Sequence, residues 1–164
     1  MKAAFSSACA IFMAVALAGC STLGIGGGRE GGGIEVTRTH LGQAVARGQI
    51  AIEAFDPADA NAAEFGSYAA SVQRQLGRLG WTVADSVGQS EQVALVDVQQ
   101  TATGLTLDVR IKRRSDGSVF WEGKAAGAGL AAGSAAERTA AVERLAEALF
   151  RDFPGESGRT IRIR

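Results

Sequence analysis

The hydrophobic positions of this chain follow two periods, and the changes from one to the other mark out its elements. Leu105, Leu107, Val109 and Ile111 alternate with Thr106, Asp108, Arg110 and Lys112, the two-residue period of a strand with one face on a core and one in water. Ser115-Asp116-Gly117-Ser118 then carries an Asp-Gly turn signal, and residues 119–125 return as the hairpin partner. Phe120 and Trp121 are neighbours there, so one of the two must point away from the helices. Residues 34–38 and 49–55 alternate in the same way, with Ile50, Ile52 and Ala54 on one face, and Asp56-Pro57 stops the second run. Residues 93–98 are nearly all apolar, as in a strand covered on both faces for part of its length. Residues 159–164 alternate again and predict a last strand that closes onto an existing sheet edge.

Two stretches keep the helical period instead. Between Asn61 and Leu79, the residues Phe65, Ala69, Val72, Leu76 and Leu79 fall at spacings of three and four and line one side of a helix, with Arg74 and Arg78 turned away. Gly80 suits the left-handed cap at its end, and Trp81-Thr82-Val83 re-enters the core. Residues 126–133 are a small-residue connection, after which Ser134-Ala135-Ala136-Glu137 is a capping box. Val142, Leu145, Leu149 and Phe153 mark the buried side of this second helix, Glu147 and Arg151 are spaced to pair outside it, and Pro154-Gly155 ends it. Two helices, each with one apolar side, and a mostly antiparallel sheet predict an α+β two-layer sandwich with both helices packed on one face.

The first 33 residues fit neither period. Met1-Lys2 is followed by the apolar run of residues 10–16, the length of a signal-peptide core and too short to span a bilayer comfortably. Leu17-Ala18-Gly19-Cys20 resembles the bacterial lipobox, which implies cleavage before Cys20 and acylation of its thiol. Ala16-Leu17-Ala18 also satisfies the pattern of ordinary secretory cleavage, which would leave a free thiol two residues into the mature chain. An uncleaved membrane helix is disfavoured by Ser6, Ser7 and Cys9 within a short stretch. On the lipobox reading two or three acyl chains, at about 0.8 kcal/mol per buried methylene, hold the protein on the membrane. Ser21 follows the cysteine, and in the sorting rule this resembles, a residue other than aspartate there implies the outer membrane. Residues 21–33 are dominated by glycine and predict a flexible tether with a reach of about 20 Å. The expected division is therefore a signal peptide over 1–19, a lipidated cysteine and tether over 20–33, and one α+β domain over 34–164, with the domain in the periplasm.

Composition narrows the function classes. The 164 residues carry 17 Lys and Arg against 17 Asp and Glu, so there is no electrostatic case for a nucleic-acid partner. Of the two cysteines, Cys9 would leave with the signal peptide and Cys20 would be lipidated, which leaves no disulfide. Gly26, Gly28 and Gly31 match a dinucleotide fingerprint by letter, but no strand precedes them, and a tether is the simpler reading.

The search for chemistry gives few candidates. His40 is the single histidine, and Gly155-Glu156-Ser157-Gly158-Arg159 is a nucleophile-elbow pattern whose last glycine is replaced by arginine and which follows a helix instead of a strand. A weak hydrolase using Ser157 or His40 is thus the least supported class, and no catalytic residue is assigned. Glu53, Asp97, Asp108 and Glu122 lie on separate strands, and no spacing matches metal ligation, so neither metal nor cofactor is implied. Arg110, Lys112, Arg113 and Arg114, with Arg159, Arg162 and Arg164, would form a positive patch for an anionic lipid or an acidic envelope protein if their strands were neighbours. The alternative is an ordinary solvated sheet face. Phe55, Phe65, Trp81, Phe120, Trp121, Phe150 and Phe153 could line a cavity for a lipid or other apolar ligand, or simply fill the core.

Three segments together carry a family resemblance. Leu76-Gly77-Arg78-Leu79-Gly80-Trp81 at the end of the first helix, residues 116–123 on the returning hairpin strand, and Leu149-Phe150-Arg151-Asp152-Phe153-Pro154 at the end of the second helix resemble the bacterial lipoproteins of domain-of-unknown-function 4136. The resemblance covers about residues 34–164. It implies an envelope lipoprotein with a two-layer α/β domain and assigns no activity or catalytic residue. Only Thr101-Ala102-Thr103 lies before Gly104 here, where relatives are expected to carry a longer glycine-rich insert.

Overall fold

The structure, a computed structural model, describes residues 32–42, 45–85, 88–130 and 133–164. The apolar run, Cys20 and the tether as far as Gly31 lie outside the described residues. No helix among the described residues is long and apolar enough to cross a membrane.

The elements run β1 (Ile34–His40), β2 (Gln49–Ala54), a 3-10 turn (Pro57–Asn61), α1 (Phe65–Arg78), β3 (Thr82–Val83), β4 (Gln92–Thr101), β5 (Gly104–Arg113), β6 (Val119–Ala128), α2 (Ala135–Phe150) and β7 (Thr160–Ile163). They build one open seven-stranded sheet in the order β3-β2-β4-β5-β6-β1-β7, with both helices in contact with the sheet and with each other. The α+β architecture expected from the two periods is the one observed. β4, β5, β6, β1 and β7 pair antiparallel, while β2 pairs parallel with β3 and β4. Parallel pairing needs a crossover, and α1 supplies it between β2 and β3.

The alternating set of β5 faces the helices: Leu105, Leu107, Val109 and Ile111 are buried beside Val36, Ala94, Val96 and Trp121. Opposite them come the apolar stripes, with Val72 and Leu76 buried from α1 and Ala141, Val142, Leu145 and Leu149 from α2. Arg74 and Arg78 of α1 are exposed, as the periodicity requires. The capping box forms in full: Ser134 Oγ accepts from the Glu137 N–H, and Glu137 Oε2 accepts from the Ser134 N–H at 2.7 Å. The Ser134 N–H, then the Ser134 hydroxyl, which donates to Oε2 at 3.0 Å, hold the Glu137 carboxyl below its usual range.

Three local expectations are corrected. The first helix starts at Phe65 and not at Asn61, because Asp56 caps a separate 3-10 turn by accepting from the Ala58 N–H at 2.8 Å. The second helix ends at Phe150, so Phe153 packs from the following turn, where Asp152 has φ 54° and Phe153-Pro154 is cis. Glu147 and Arg151 form no ion pair; the Arg151 N–H instead closes the helix on the Glu147 carbonyl at 3.1 Å.

Glycine marks the two turns foreseen for it. Gly80, at φ 94°, lets the Trp81 N–H bond back to the Leu76 carbonyl, and Gly117, at φ 70°, completes the β5–β6 loop. The β5–β6 register slips between Ile111 and Lys112, which pair with Trp121 and Val119 and leave Phe120 as the extra residue. Trp121 is thereby fully buried and Phe120 only partly.

Candidate functional site

The two ends of the sheet differ in what they gather. Gly33, the β4–β5 turn and the start of both helices lie at one end, since Ile34, Gly127 and Leu105 are aligned across β1, β6 and β5. Gln92, Arg113 and Val119 mark the other end, where α2 finishes.

At that second end an arginine stands on the apolar face of β1. Arg38 follows Ile34 and Val36 in the alternation and is 3% exposed. Its Nε donates to the Leu149 carbonyl at 2.8 Å, and its Nη2 donates to those of Ala148 and Arg151 at 2.9 Å each. These carbonyls belong to the last turn of α2, which has no helical partner for them and carries negative partial charge. Burial pulls the Arg38 pKa below the usual arginine value, and the Asp152 charge opposes that shift.

At the same end, residues of the loop after α1, of β6 and of the end of α2 meet. Trp121 stacks on Phe150 with ring centroids 5.3 Å apart, Phe153 lies 5.2 Å from Trp121, and Trp81 meets Phe153 edge-on at 5.4 Å. The Trp121 Nε1–H donates to the Pro154 carbonyl at 3.1 Å, and that of Trp81 donates to Gln92 Oε1 at 2.8 Å. The space above Gly123 is taken by the Trp121 ring and Leu149, which explains glycine two residues after the tryptophan. Of the aromatic set, Trp81, Trp121 and Phe150 therefore fill the core, and Phe153, partly buried, packs against it. Phe55 lies on the exposed side of the sheet under the Arg110 guanidinium, 4.6 Å from ring to cation, and Phe65 and Phe120 are partly buried.

His40 and Ser157 come together beside this cluster, but their polar atoms hold backbone. The Gly42 N–H donates to His40 Nδ1 at 3.1 Å, which leaves Nε2–H to donate to the Gly155 carbonyl at 3.0 Å. Ser157 Oγ accepts from the His40 N–H at 3.0 Å and donates to the His40 carbonyl at 3.2 Å. Hydroxyl and imidazole are thus each bonded to backbone and not to each other, and both fasten the turn after α2 onto β1. Among the described residues no cluster of three His, Cys, Asp or Glu side chains is placed to hold a metal.

At the first end, a cleft of about 450 Å³ opens between α1, β4 and the start of α2. Phe65, Tyr68, Val96, Val98 and Leu105 supply its apolar wall. Its polar side is Glu64, which takes the Arg138 guanidinium on both oxygens, Nε donating to Oε2 at 2.9 Å, and accepts from the Tyr68 hydroxyl on the same Oε2. The arginine first, then the tyrosine, hold the Glu64 carboxyl down at about 2; burial, with the Glu64 bond, raises the Tyr68 hydroxyl, and Glu64 raises Arg138. Sequence reasoning missed this trio. Only the four-residue step from Glu64 to Tyr68 hinted at it, since Arg138 comes 74 residues later.

The seven cations do not form one patch. β5 and β7 are separated by β6 and β1, so the condition that their strands be neighbours fails. Carboxylates take five of the seven: Arg110 pairs with Glu122 at 2.9 Å, Arg113 with Asp116 at 2.6 Å, Arg114 with Glu53 at 2.5 Å, Arg159 with Glu156 at 2.9 Å and Arg162 with Glu35 at 2.6 Å. Lys124 and Asp108 add a further pair at 3.2 Å, so the exposed face of β5 and β6 is a lattice of alternating charge. Lys112 and Arg164 have no carboxylate partner among the described residues.

Comparison with known proteins places the fold more firmly than any activity. No protein-family model matches the chain. An uncharacterized protein of Zymomonas mobilis is 37% identical over 67 residues, which cover 41% of this chain and 25% of that protein; the match thus spans about a quarter of the relative's length. Among solved structures, a PDZ domain protein from Parabacteroides distasonis overlaps 80% of this chain and 39% of its own at a TM-score of 0.50 and 12% identity, a likeness of fold alone. The PelC dodecamer from Paraburkholderia phytofirmans overlaps 68% of this chain and 94% of its own at 0.42 and 14% identity.

Proposed function

We propose that the chain is an envelope lipoprotein, acylated on Cys20 and held at the outer membrane, whose α+β domain acts in the periplasm as a non-catalytic interaction or assembly element. The observation that carries this reading is Leu17-Ala18-Gly19-Cys20 behind a positive start and an apolar run, with a glycine-rich stretch leading to β1. It rests on these residues more than on the family resemblance, whose motifs serve packing. It is supported by the way His40, Ser157 and Arg38 are committed to backbone partners. Fractionation of cells carrying the chain, beside a Cys20→Ala form, tests it: the unaltered chain should sediment with outer-membrane markers and retain a cross-linked envelope protein, and the variant should be missing from the outer-membrane fraction. Equal distribution of both forms would overturn the anchor, and a deletion without effect on envelope permeability, morphology or co-purifying proteins would overturn the assembly role.

The cleft beside Tyr68 favours a second reading, a carrier of a lipid or other apolar ligand. Its apolar wall and its volume of about 450 Å³ suit one small apolar group. Native mass spectrometry of the detergent-solubilised chain should then show one retained adduct, lost on Val98→Glu; repeated organic extracts that yield nothing would remove this reading.

A further inference from the structure

The two edges of the sheet are unequal. One is closed by β3, two residues long, whereas β7 offers four, Thr160–Ile163, paired only through β1 in the register Thr37↔Thr160 to Ile34↔Ile163. Along its outer side, alternate residues direct N–H and C=O groups where no strand of the described residues stands. Arginines on such a strand are in themselves the ordinary protection of an edge. The other face of β7 is not protected in this way. α2 packs over β5, β6 and β1, and Ile161 and Ile163 border a groove of about 530 Å³ that Arg151, Asp152, Arg162 and Arg164 also line. Both isoleucines remain partly exposed there.

We propose that the outer edge of β7 receives an extended segment of another envelope protein in which apolar and acidic side chains alternate. Strand addition supplies backbone hydrogen bonds, and the side-chain alternation supplies selection. Apolar side chains of the incoming strand lie over Ile161 and Ile163, and its acidic ones meet Arg162 and Arg164, which alternate with the isoleucines along the chain. Arg162 shares its charge with Glu35 while its side chain is 66% exposed, and Arg151 and Arg164 have no carboxylate partner among the described residues. Charge also selects against a second copy of this chain. Self-pairing of β7 with both helix layers on one side sets the arginines of two copies opposite or diagonal to one another, which is repulsive. This inference rests on the interaction role proposed above and gives that role a place in the fold.

The test uses the full chain in detergent and labelled peptides of about eight residues, long enough to overlap the strand. One alternates valine and glutamate, a second alternates valine and lysine, and a third is the glutamate peptide N-methylated on alternate residues along one edge. The glutamate peptide should bind and slow hydrogen exchange at β7, and the N-methylated one should not bind. Reversing Arg162→Glu with Arg164→Glu should weaken the glutamate peptide about tenfold or more, the equivalent of two surface charge pairs, and admit the lysine peptide. Failure of the glutamate peptide to bind, binding indifferent to charge reversal or N-methylation, protection elsewhere, or self-association through β7 would each overturn the proposal. Peptide binding by a chain that proves not to be acylated would remove the anchor and leave the strand site standing.

Discussion

Replacing Arg38 by methionine isolates what the buried guanidinium does, because methionine keeps most of the side-chain volume and removes every donor. Two of its three acceptors, the Ala148 and Leu149 carbonyls, are buried, while the Arg151 carbonyl is only partly so and can turn to water. Each buried carbonyl left without a donor costs about 1–3 kcal/mol, so the two together cost about 2–6. Desolvation of the guanidinium, relieved in the variant, offsets part of this. A net loss of about 3 kcal/mol follows, a large share of the 5–15 kcal/mol typical of a domain. Arg38→Lys keeps the charge but not the fork and should lose about half as much. Urea unfolding followed by the fluorescence of Trp81 and Trp121, both in the adjoining aromatic cluster, reads the difference directly. If Arg38→Met unfolds within about 0.5 kcal/mol of the unaltered chain, or later than it, the arginine is not what satisfies the end of α2.

Other consequences are as open to measurement. Gly123→Ala places a methyl within 2.4 Å of the Trp121 ring and 2.8 Å of Leu149, neither free to leave the core, and should destabilise by about 1–3 kcal/mol in the same unfolding assay. Ser134→Ala removes one half of the capping box of α2 and should cost about 1 kcal/mol by thermal unfolding; no change would deny the cap its role. Glu64 is held at about 2, below its ordinary value of 4.5, so its contribution to stability is complete above pH 4.5 and is lost as the pH falls toward 2. Glu64→Gln should therefore flatten the acid limb of the stability curve over that window. Asp116, also held at about 2 by Ser118 and Arg113, should leave a residual slope, and identical acid limbs in the two proteins would contradict the Glu64 bonds.

What sequence could show of this fold is what local periodicity encodes. The alternation of β5, the stripe of α1, the capping box of α2 and the Asp116-Gly117 turn are each set by neighbours within a few residues, and each is where it was expected. Strand order is not written in that way. β1 lies between β6 and β7, and β2 runs parallel with β4, through contacts that no spacing in the chain announces. The cationic patch failed for this reason: arginines on β5 and β7 are alike in sequence, but β6 and β1 stand between them in space. Sequence reasoning missed Arg38, although its signal was there: an arginine in phase with Ile34 and Val36 must either break the core or find buried acceptors. The tryptophan and phenylalanine residues at the ends of both helices and on β6 form one cluster that closes the end of α2.

The claim on which the functional account turns is the state of Cys20, and intact-mass spectrometry of the chain taken from bacterial membranes reads it in one step. The mature protein should begin at Cys20 and carry the added mass of a diacylglycerol, with an acylated amine, and a Cys20→Ala form should not be processed at that bond. A mature chain that begins at Gly19 with an unmodified thiol, or one that keeps its first 19 residues, would contradict it.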